Sequence, residues 1–509
     1  MHRPRRAHIQ NGYNRAARVG DSAPDGAPWP PFPGPSASHR GSARLTADAL
    51  AELAADPTLP LHGRASAVHA AAAIPEYGEA VVRAQLDSAD VVLAEAALAA
   101  LVRTDRPADA LRDLLAHAGG DRARVAVYAA TRAARYTPPG ELAEHLGALL
   151  SGARDSKVTS RKEAVRLAAE HLPPRTAADL LVAAYRTEGQ HRDVRAAAVA
   201  STTGLLDAEP VWELLAEAAG QAPPPVRRAV LRTDPAHLPE AHRARYAHLV
   251  ALVAAAADPE VAAPALAALP RWAAWAPETA EVARRAVTDP ANRGGWRQAA
   301  GAVHALAASG LPHPLGGAAP GSLLHRTLAG LAAAARTDDP DAGDDRDLPA
   351  RRRLAHLADL PADDRHRPLL AGAADLLAAE PDLADVRSAA LRRLVDPAAG
   401  PQALAAALGA LADAHRDRPA AAALTAVALR REHATGPLPP PGTPEALART
   451  ARRDGDTGPA AGLFATALTE AFGERLGWPP EWRALLRELR GHPSADVRER
   501  ALAAVTHRE

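Results

Sequence analysis

The sequence has no cysteine. Disulfides, thiolate zinc or iron–sulfur ligation and a cysteine nucleophile are thereby excluded, and the absence fits a reducing, cytoplasmic setting. Aromatic residues are scarce, at 3% of the chain, so a core has to be assembled from Ala, Leu and Val. Those side chains let helices approach closely, and Ala and Leu are good helix formers. Net charge is missing as well: 60 Lys+Arg balance 60 Asp+Glu. That argues against a chain-wide nucleic-acid or membrane coat and leaves room only for a local patch. No stretch approaches the ~20 uncharged apolar residues of a membrane span. The basic start, Met1 to Gln10, has no apolar region behind it and does not read as a secretory signal. Lysine occurs only as Lys157 and Lys162. The Ala, Arg, Pro and Gly excess looks like coding bias from a GC-rich genome, so Arg is discounted before it is read as functional.

What the sequence does have is a recurring phrase. Ser494-Ala-Asp-Val-Arg-Glu-Arg-Ala-Leu-Ala-Ala-Val505 places Val497, Ala501, Ala504 and Val505 on one helical stripe. The opening returns at Asp193-Val194-Arg195 and at Asp385-Val386-Arg387. Looser copies begin at Val91, Val125, Val158, Val226, Val261 and Trp296, and from Val91 to Trp296 the steps are 34, 33, 36, 32, 35 and 35. A fixed period in this range is the mark of stacked repeats that bury one another's flanks. Later anchors at Val386, Ala422, Ala461 and Val497 step by 36, 39 and 36.

Residues 1–44 carry no helical stripe. They are basic and proline-rich, including Trp29-Pro-Pro-Phe-Pro-Gly-Pro35, and are expected to form a disordered tail, either a leader without a role or a tether. Helix follows helix from Leu45. Prolines near the starts of the second helices, at Pro107, Pro139, Pro174, Pro210, Pro239 and Pro277, sit where a missing N–H costs nothing. Asp87, Asp193, Asp258 and Asp289 are expected to cap the first helices. The acidic run at 338–347 reads as a solvated loop. The expected organisation is a first repeat array at 45–336, an acidic loop and hinge at 337–350, and a second array at 351–509.

The Asp-Val-Arg openings, with Ala four residues after the Val, resemble HEAT repeats of the short bacterial, phycobilisome-lyase-type kind over about residues 60–507. The resemblance implies an all-α solenoid, a superhelix of about 11–12 stacked hairpins. It also implies that Asp193, Arg195, Asp385, Arg387, Asp496 and Arg498 form a structural ladder between repeats, and that a protein partner lies along the concave face made by the second helices.

The search for chemistry yields little. His-Glu-x-x-His, a phosphate-binding glycine loop, Gly-x-Ser-x-Gly and a dinucleotide fingerprint are all missing. His62 and His69 share a helical face but stand two turns apart, roughly 10 Å, too far to chelate one ion. No cofactor or metal is therefore expected. Trp272, Trp275 and Trp296 read as core packing, or as an aromatic pocket for a base such as glycosylases of the HEAT-like kind use. The two lysines lie five residues apart at a helix start, Lys157-Val-Thr-Ser-Arg161-Lys162. Arg122, Arg124, Arg192, Arg195, Arg227 and Arg228 hold comparable places in adjacent repeats, so regular stacking produces either a basic ridge or merely a solvated face with ladder pairs. Arg83, Arg112, His145, Arg186 and Glu217 are candidate groove residues on second helices. Together these observations point to a non-enzymatic protein-binding scaffold with Lys157, Arg161, Lys162, Arg122, Arg124, Arg83, Arg112 and Arg186 as contact residues. A nucleic-acid-binding repeat protein is the alternative, with a glycosylase-like or bilin-lyase-like enzyme behind it.

Overall fold

A computed structural model describes residues 37–153, 155–336, 350–361, 363–452 and 459–506. The expected tail up to residue 36 and the acidic loop at 337–349 lie outside these residues. The described residues contain helices and turns and no strand. They divide into two compact units, one of residues 1–111 with 128–133 and one of 112–127 with 134–509.

The first unit opens with the helix Ala37–Ala55, which starts before the expected Leu45 and takes in residues 37–44 of the expected tail. It packs on Leu61–Ala71, which in turn packs on Val91–Ala100. Ala47, Ala71 and Val81 form its small core, with Leu50, Ile74 and Tyr77 around them. Asp90 caps Val91–Ala100 by accepting from the amide of Val92, the role expected of Asp87.

The second unit is an α-solenoid of HEAT-like hairpins. Its first helices, Val158–His171, Arg192–Ala200, Pro224–Val230, Pro259–Ala268 and Trp296–Ala307, each pack on the next. Its second helices, Pro139–Leu150, Pro174–Arg186, Glu209–Gly220, Glu240–Ala254 and Glu281–Thr288, form the other layer in the same way. Each of these helices thus packs on a helix adjacent to it in the chain and on helices two places away. The anchors of the sharp phrases, Val194, Val386 and Val497, are 0, 3 and 0% exposed. Asp258 caps its helix through the amide of Glu260, as expected. The cap of Arg192–Ala200 is instead the His191 ring, which accepts from the Asp193 amide. Asp193 therefore lies inside the first turn, where its charge meets the dipole.

Packing continues across the expected hinge at 337–350. Ala350–Ala358 lies against both Trp296–Ala307 and Leu323–Ala335. From it Arg353, 1% exposed, donates to the carbonyls of Val287, Asp289 and Asn292. A buried guanidinium that satisfies three carbonyls at the end of Glu281–Thr288 ties the flanks of that loop into one core.

The last repeats depart from two layers. Ala460–Leu476 is buried from Ala460 through Gly473 and is contacted by Pro401–Ala414, Pro419–His433, Thr443–Arg452, Pro480–Arg490 and Ala495–Ala503. Its sequence explains this: 460–469 has no charged residue, so no face prefers water. Trp478, at φ +58°, folds back over Gly473, where a Cβ would lie 2.4 Å from the indole. Leu468→Ala, in the middle of this helix, is expected to lower stability by about 2–5 kcal/mol through the cavity it opens, read as a fall in the urea midpoint at unchanged slope.

Candidate functional site

Two open clefts mark the edge where second helices turn into the next repeat. The larger, about 630 Å³, lies between the C-terminal ends of Pro174–Arg186 and Glu209–Gly220 and is lined by Tyr185, Arg186, Arg195, Glu217, Gly220 and Gln221 among others. Arg186 spans its mouth, with Nη2 3.1 Å from Glu217 and 3.4 Å from Glu213. Glu217 above all holds the Arg186 guanidinium further into its charged form. Arg195 donates to the carbonyl of Thr187 at 3.2 Å and stands 5.9 Å from the Tyr185 ring centroid. Burial, and then the Glu217 charge, push the Tyr185 phenol upward. Gly220 and Ala222 leave the notch unfilled. The smaller cleft, about 440 Å³, occupies the corresponding place between Glu240–Ala254 and Glu281–Thr288 and is mostly apolar, with Ala254, Leu266 and Val282 in its wall and Arg285 and Asp289 beside them.

The expected contact residues differ in what holds them. Arg161 is held by Gln190 at 2.8 Å, and Gln190 donates to the carbonyls of Leu150 and Ala184. Lys157 lies 3.7 Å from Asp121 while its amide donates to the carbonyl of Ala118. Arg227 donates to Ala219 at 3.0 Å, the counterpart of Arg195 and Thr187 one repeat on. Of the expected ridge, Arg161, Arg195 and Arg227 are engaged in capping and bracing, and Arg124, Lys157, Lys162, Arg192 and Arg228 stay exposed. Among the groove candidates, Arg186 and Glu217 meet in the larger cleft. Arg112 is exposed. His145, half-buried, stands 3.7 Å from Glu141. Arg83 pairs with Glu79 at 2.7 Å, and Arg122 is half-buried. The repeat ladder differs from the one the resemblance implies. Asp385 does reach Arg351, 2.6 Å away and 34 residues earlier. Arg195 and Arg498, however, serve carbonyls of their own turns. Most cross-repeat bonds belong to other pairs, such as Arg245–Glu209, Arg271–Asp234, Arg393–Asp359 and Arg452–Glu488.

The groups that resemble catalytic machinery are interior. Trp272 and Trp296 are buried, and Trp272 stacks on Tyr246 with centroids 5.0 Å apart, so these two pack in the core, while Trp275 is half-buried with the Arg243 guanidinium 4.9 Å from its ring centroid. Glu470 is the buried carboxylate an enzyme would need, but Arg430 at 3.3 Å and Arg500 at 3.1 Å hold it, and no described cleft reaches it. Burial pushes its carboxyl up while the two arginines pull it down. Ser388 and His415 form a buried pair, Oγ to Nε2 2.5 Å, with Thr425 3.2 Å from the same nitrogen and the imidazole edge-on to Phe464. Among the described residues no group of three or more His, Asp or Glu is placed to hold a metal.

No family model matches the sequence, and no curated protein matches it. Solved structures similar to it include Kap121p bound to Ste12p, at TM-score 0.39 and 13% identity over 91% of this chain and 48% of that one. Kap95p from a study of its binding to RanGDP matches at 0.33 and 14% over 91% and 56%. The UNC-45 chaperone, described as binding and folding muscle myosin, matches at 0.26 and 13% over 91% and 63%. The chain thus spans about half to two thirds of the length of each, and the fold rests on its own helix packing.

Burial, with Arg418 nearby, drives the His415 imidazole down to about 4 from an ordinary 6.5. The unfolded chain therefore takes up this proton near pH 6.5 and the folded chain only near 4, so the associated stability is present above 6.5 and is lost as the pH falls toward 4. Between pH 7 and 5 His415→Gln is expected to flatten the decline by roughly 1–2 kcal/mol, measured as the difference in urea midpoints at the two pH values.

Proposed function

We propose that the chain is a non-enzymatic, cytoplasmic protein-binding scaffold that seats a segment of a protein partner across the ends of its second helices, anchored in the cleft of Tyr185, Arg186 and Glu217. One observation carries this reading: the cleft is open, and its donors and acceptors nearly balance. Arg186 and the Gln221 amide offer N–H groups, and Glu217 and the Gln221 carbonyl accept. That lining suits a peptide, whose backbone alternates N–H and C=O. A phosphate backbone calls for unopposed positive charge along a track, and the arginines that would supply it are committed to helix ends and to Gln190.

The test compares affinity capture by the wild type, by Arg186→Ala plus Glu217→Ala, and by Lys157→Glu plus Lys162→Glu. An exposed ion pair contributes little to folding, so the cleft variant is expected to keep its structure. The expected outcome is a defined protein retained at ~0.3 M salt, where exposed charge attraction is largely screened, lost by about tenfold or more in the cleft variant and unchanged in the lysine variant. Capture that ignores the cleft variant overturns the reading, as does a nucleic-acid gel shift that disappears with the lysines.

A further inference from the structure

Two tyrosines on second helices are almost fully buried, and their hydroxyls are treated differently. Tyr246 is 1% exposed, and its hydroxyl lies 2.7 Å from the Val230 carbonyl and 2.9 Å from the Thr233 hydroxyl. Tyr185 is 8% exposed, yet its hydroxyl has no hydrogen-bond partner among the described residues. A phenol taken this far out of water normally finds one, because the bond it made to water is otherwise lost. The Tyr185 oxygen is not sealed off from solvent, and its side chain lines the larger cleft.

The repeat register sets what the hydroxyl faces. Arg195 donates to the carbonyl of Thr187, and Arg227 to that of Ala219. Thr187 and Ala219 therefore hold the same level on neighbouring second helices, and so do Tyr185 and Glu217, two residues before them. Pro174–Arg186 and Glu209–Gly220 pack on each other, and axes of packed helices stand about 8–10 Å apart. Burial, and then the Glu217 charge, keep the phenol protonated, but no hydrogen bond joins phenol and carboxylate. Arg186 takes one oxygen of Glu217 at 3.1 Å, and a carboxylate has further acceptor sites.

A group that fits between them must accept on the phenol side and donate on the carboxylate side. A carboxylate or phosphate meets the donor and is repelled by Glu217. An ammonium or guanidinium meets Glu217, offers the phenol no acceptor and is opposed by Arg186. The peptide unit does both, since its C=O and N–H point in opposite directions across one plane.

We infer that the Tyr185 hydroxyl donates to a main-chain carbonyl of the partner polypeptide while Glu217 accepts from the N–H of the same peptide unit. This contact presupposes the peptide-binding role proposed for the cleft. Within that role it reads main chain, so it tolerates any partner residue there except one that lacks the N–H, proline.

Urea unfolding of the full chain tests it without a ligand. Tyr185→Phe is expected to leave the midpoint unchanged or slightly raised, since no bond within the fold is lost, whereas Tyr246→Phe lowers it. A fall for Tyr185→Phe as large as that for Tyr246→Phe means the hydroxyl is engaged inside the protein, and overturns the inference without touching the cleft's role. Binding is tested with short random-sequence peptides displayed on phage, selected on the wild type and then synthesised. Among peptides that Arg186→Ala plus Glu217→Ala no longer binds, Tyr185→Phe is expected to weaken affinity about 3–10-fold, and Tyr246→Phe to leave it unchanged. Replacing one peptide bond of the ligand by an ester, which lacks the N–H and accepts more weakly, is expected to weaken wild-type binding by at least as much and Tyr185→Phe binding by less. Cleft-dependent peptides that bind Tyr185→Phe as tightly as the wild type, or that lose equally in both proteins at every ester position, overturn the contact and leave the cleft reading standing. A selection that yields no cleft-dependent peptide overturns both.

Discussion

A helix that is apolar along one flank persists in water only if another surface covers that flank. In this chain almost no residue can do the covering from a distance, because aromatics make up 3% of it and alanine reaches little beyond the backbone. Helices must lie close, neighbour on neighbour, each packed on an adjacent helix and on helices two places along. The 32–36-residue period follows from that geometry: it is the length of chain needed to go out along one helix, turn, and return to where the next flank waits. Buried Leu and Val, among them Val194, Val386 and Val497 at 0–3% exposure, supply most of the hydrophobic gain, roughly 1.5–3 kcal/mol for each fully buried side chain. Alanine supplies the close approach.

Charge is handled by the same local logic. Equal numbers of acids and bases do not make an inert surface here, because many of them are paired one repeat apart: Arg245 with Glu209, Arg271 with Asp234, Arg393 with Asp359, Arg452 with Glu488. Each exposed pair contributes little alone. Repeated along the array, the pairs keep adjacent hairpins in register, and in the larger cleft Arg186 is set against Glu213 and Glu217 in the same way.

The period and the buried face were legible, since a 3.6-residue stripe headed by Val194, Val386 or Val497 can be read from spacing alone. Helix ends were nearly as clear where proline or aspartate marks them: Pro139–Leu150 and the Asp258 cap lie where the sequence puts them. The enclosure of Ala460–Leu476 was written in the uncharged run 460–469, but a reading tuned to period treats that segment as one more repeat. The packing of Ala350–Ala358 onto earlier helices could not be read, because nothing in Arg351-Arg-Arg353 says that the third arginine turns inward while Arg351 pairs outward with Asp385. The cleft was half legible. Arg186 and Glu217 follow from their place on second helices, whereas Tyr185 and Gln221 matter because Gly220 and Ala222 leave room beside them, and missing side chains are hard to see in a sequence.

The fate of the arginines follows from their shape. A guanidinium is planar, always charged and carries five donors. It can bridge several carbonyls at a helix C-terminus, where four acceptors lack intrahelical partners and the dipole is negative. Arg353 does so for three carbonyls, Arg498 for those of His492 and Pro493, and Arg475 for those of His433, Gly436 and Pro437. Lysine, a point charge on a flexible stem, fits this task less well. An arginine-rich composition can thus arise from coding bias and still be put to structural use, one helix end at a time. An excess of arginine in such an array therefore says little about an anionic partner until each guanidinium has been traced to the carbonyl or carboxylate it serves.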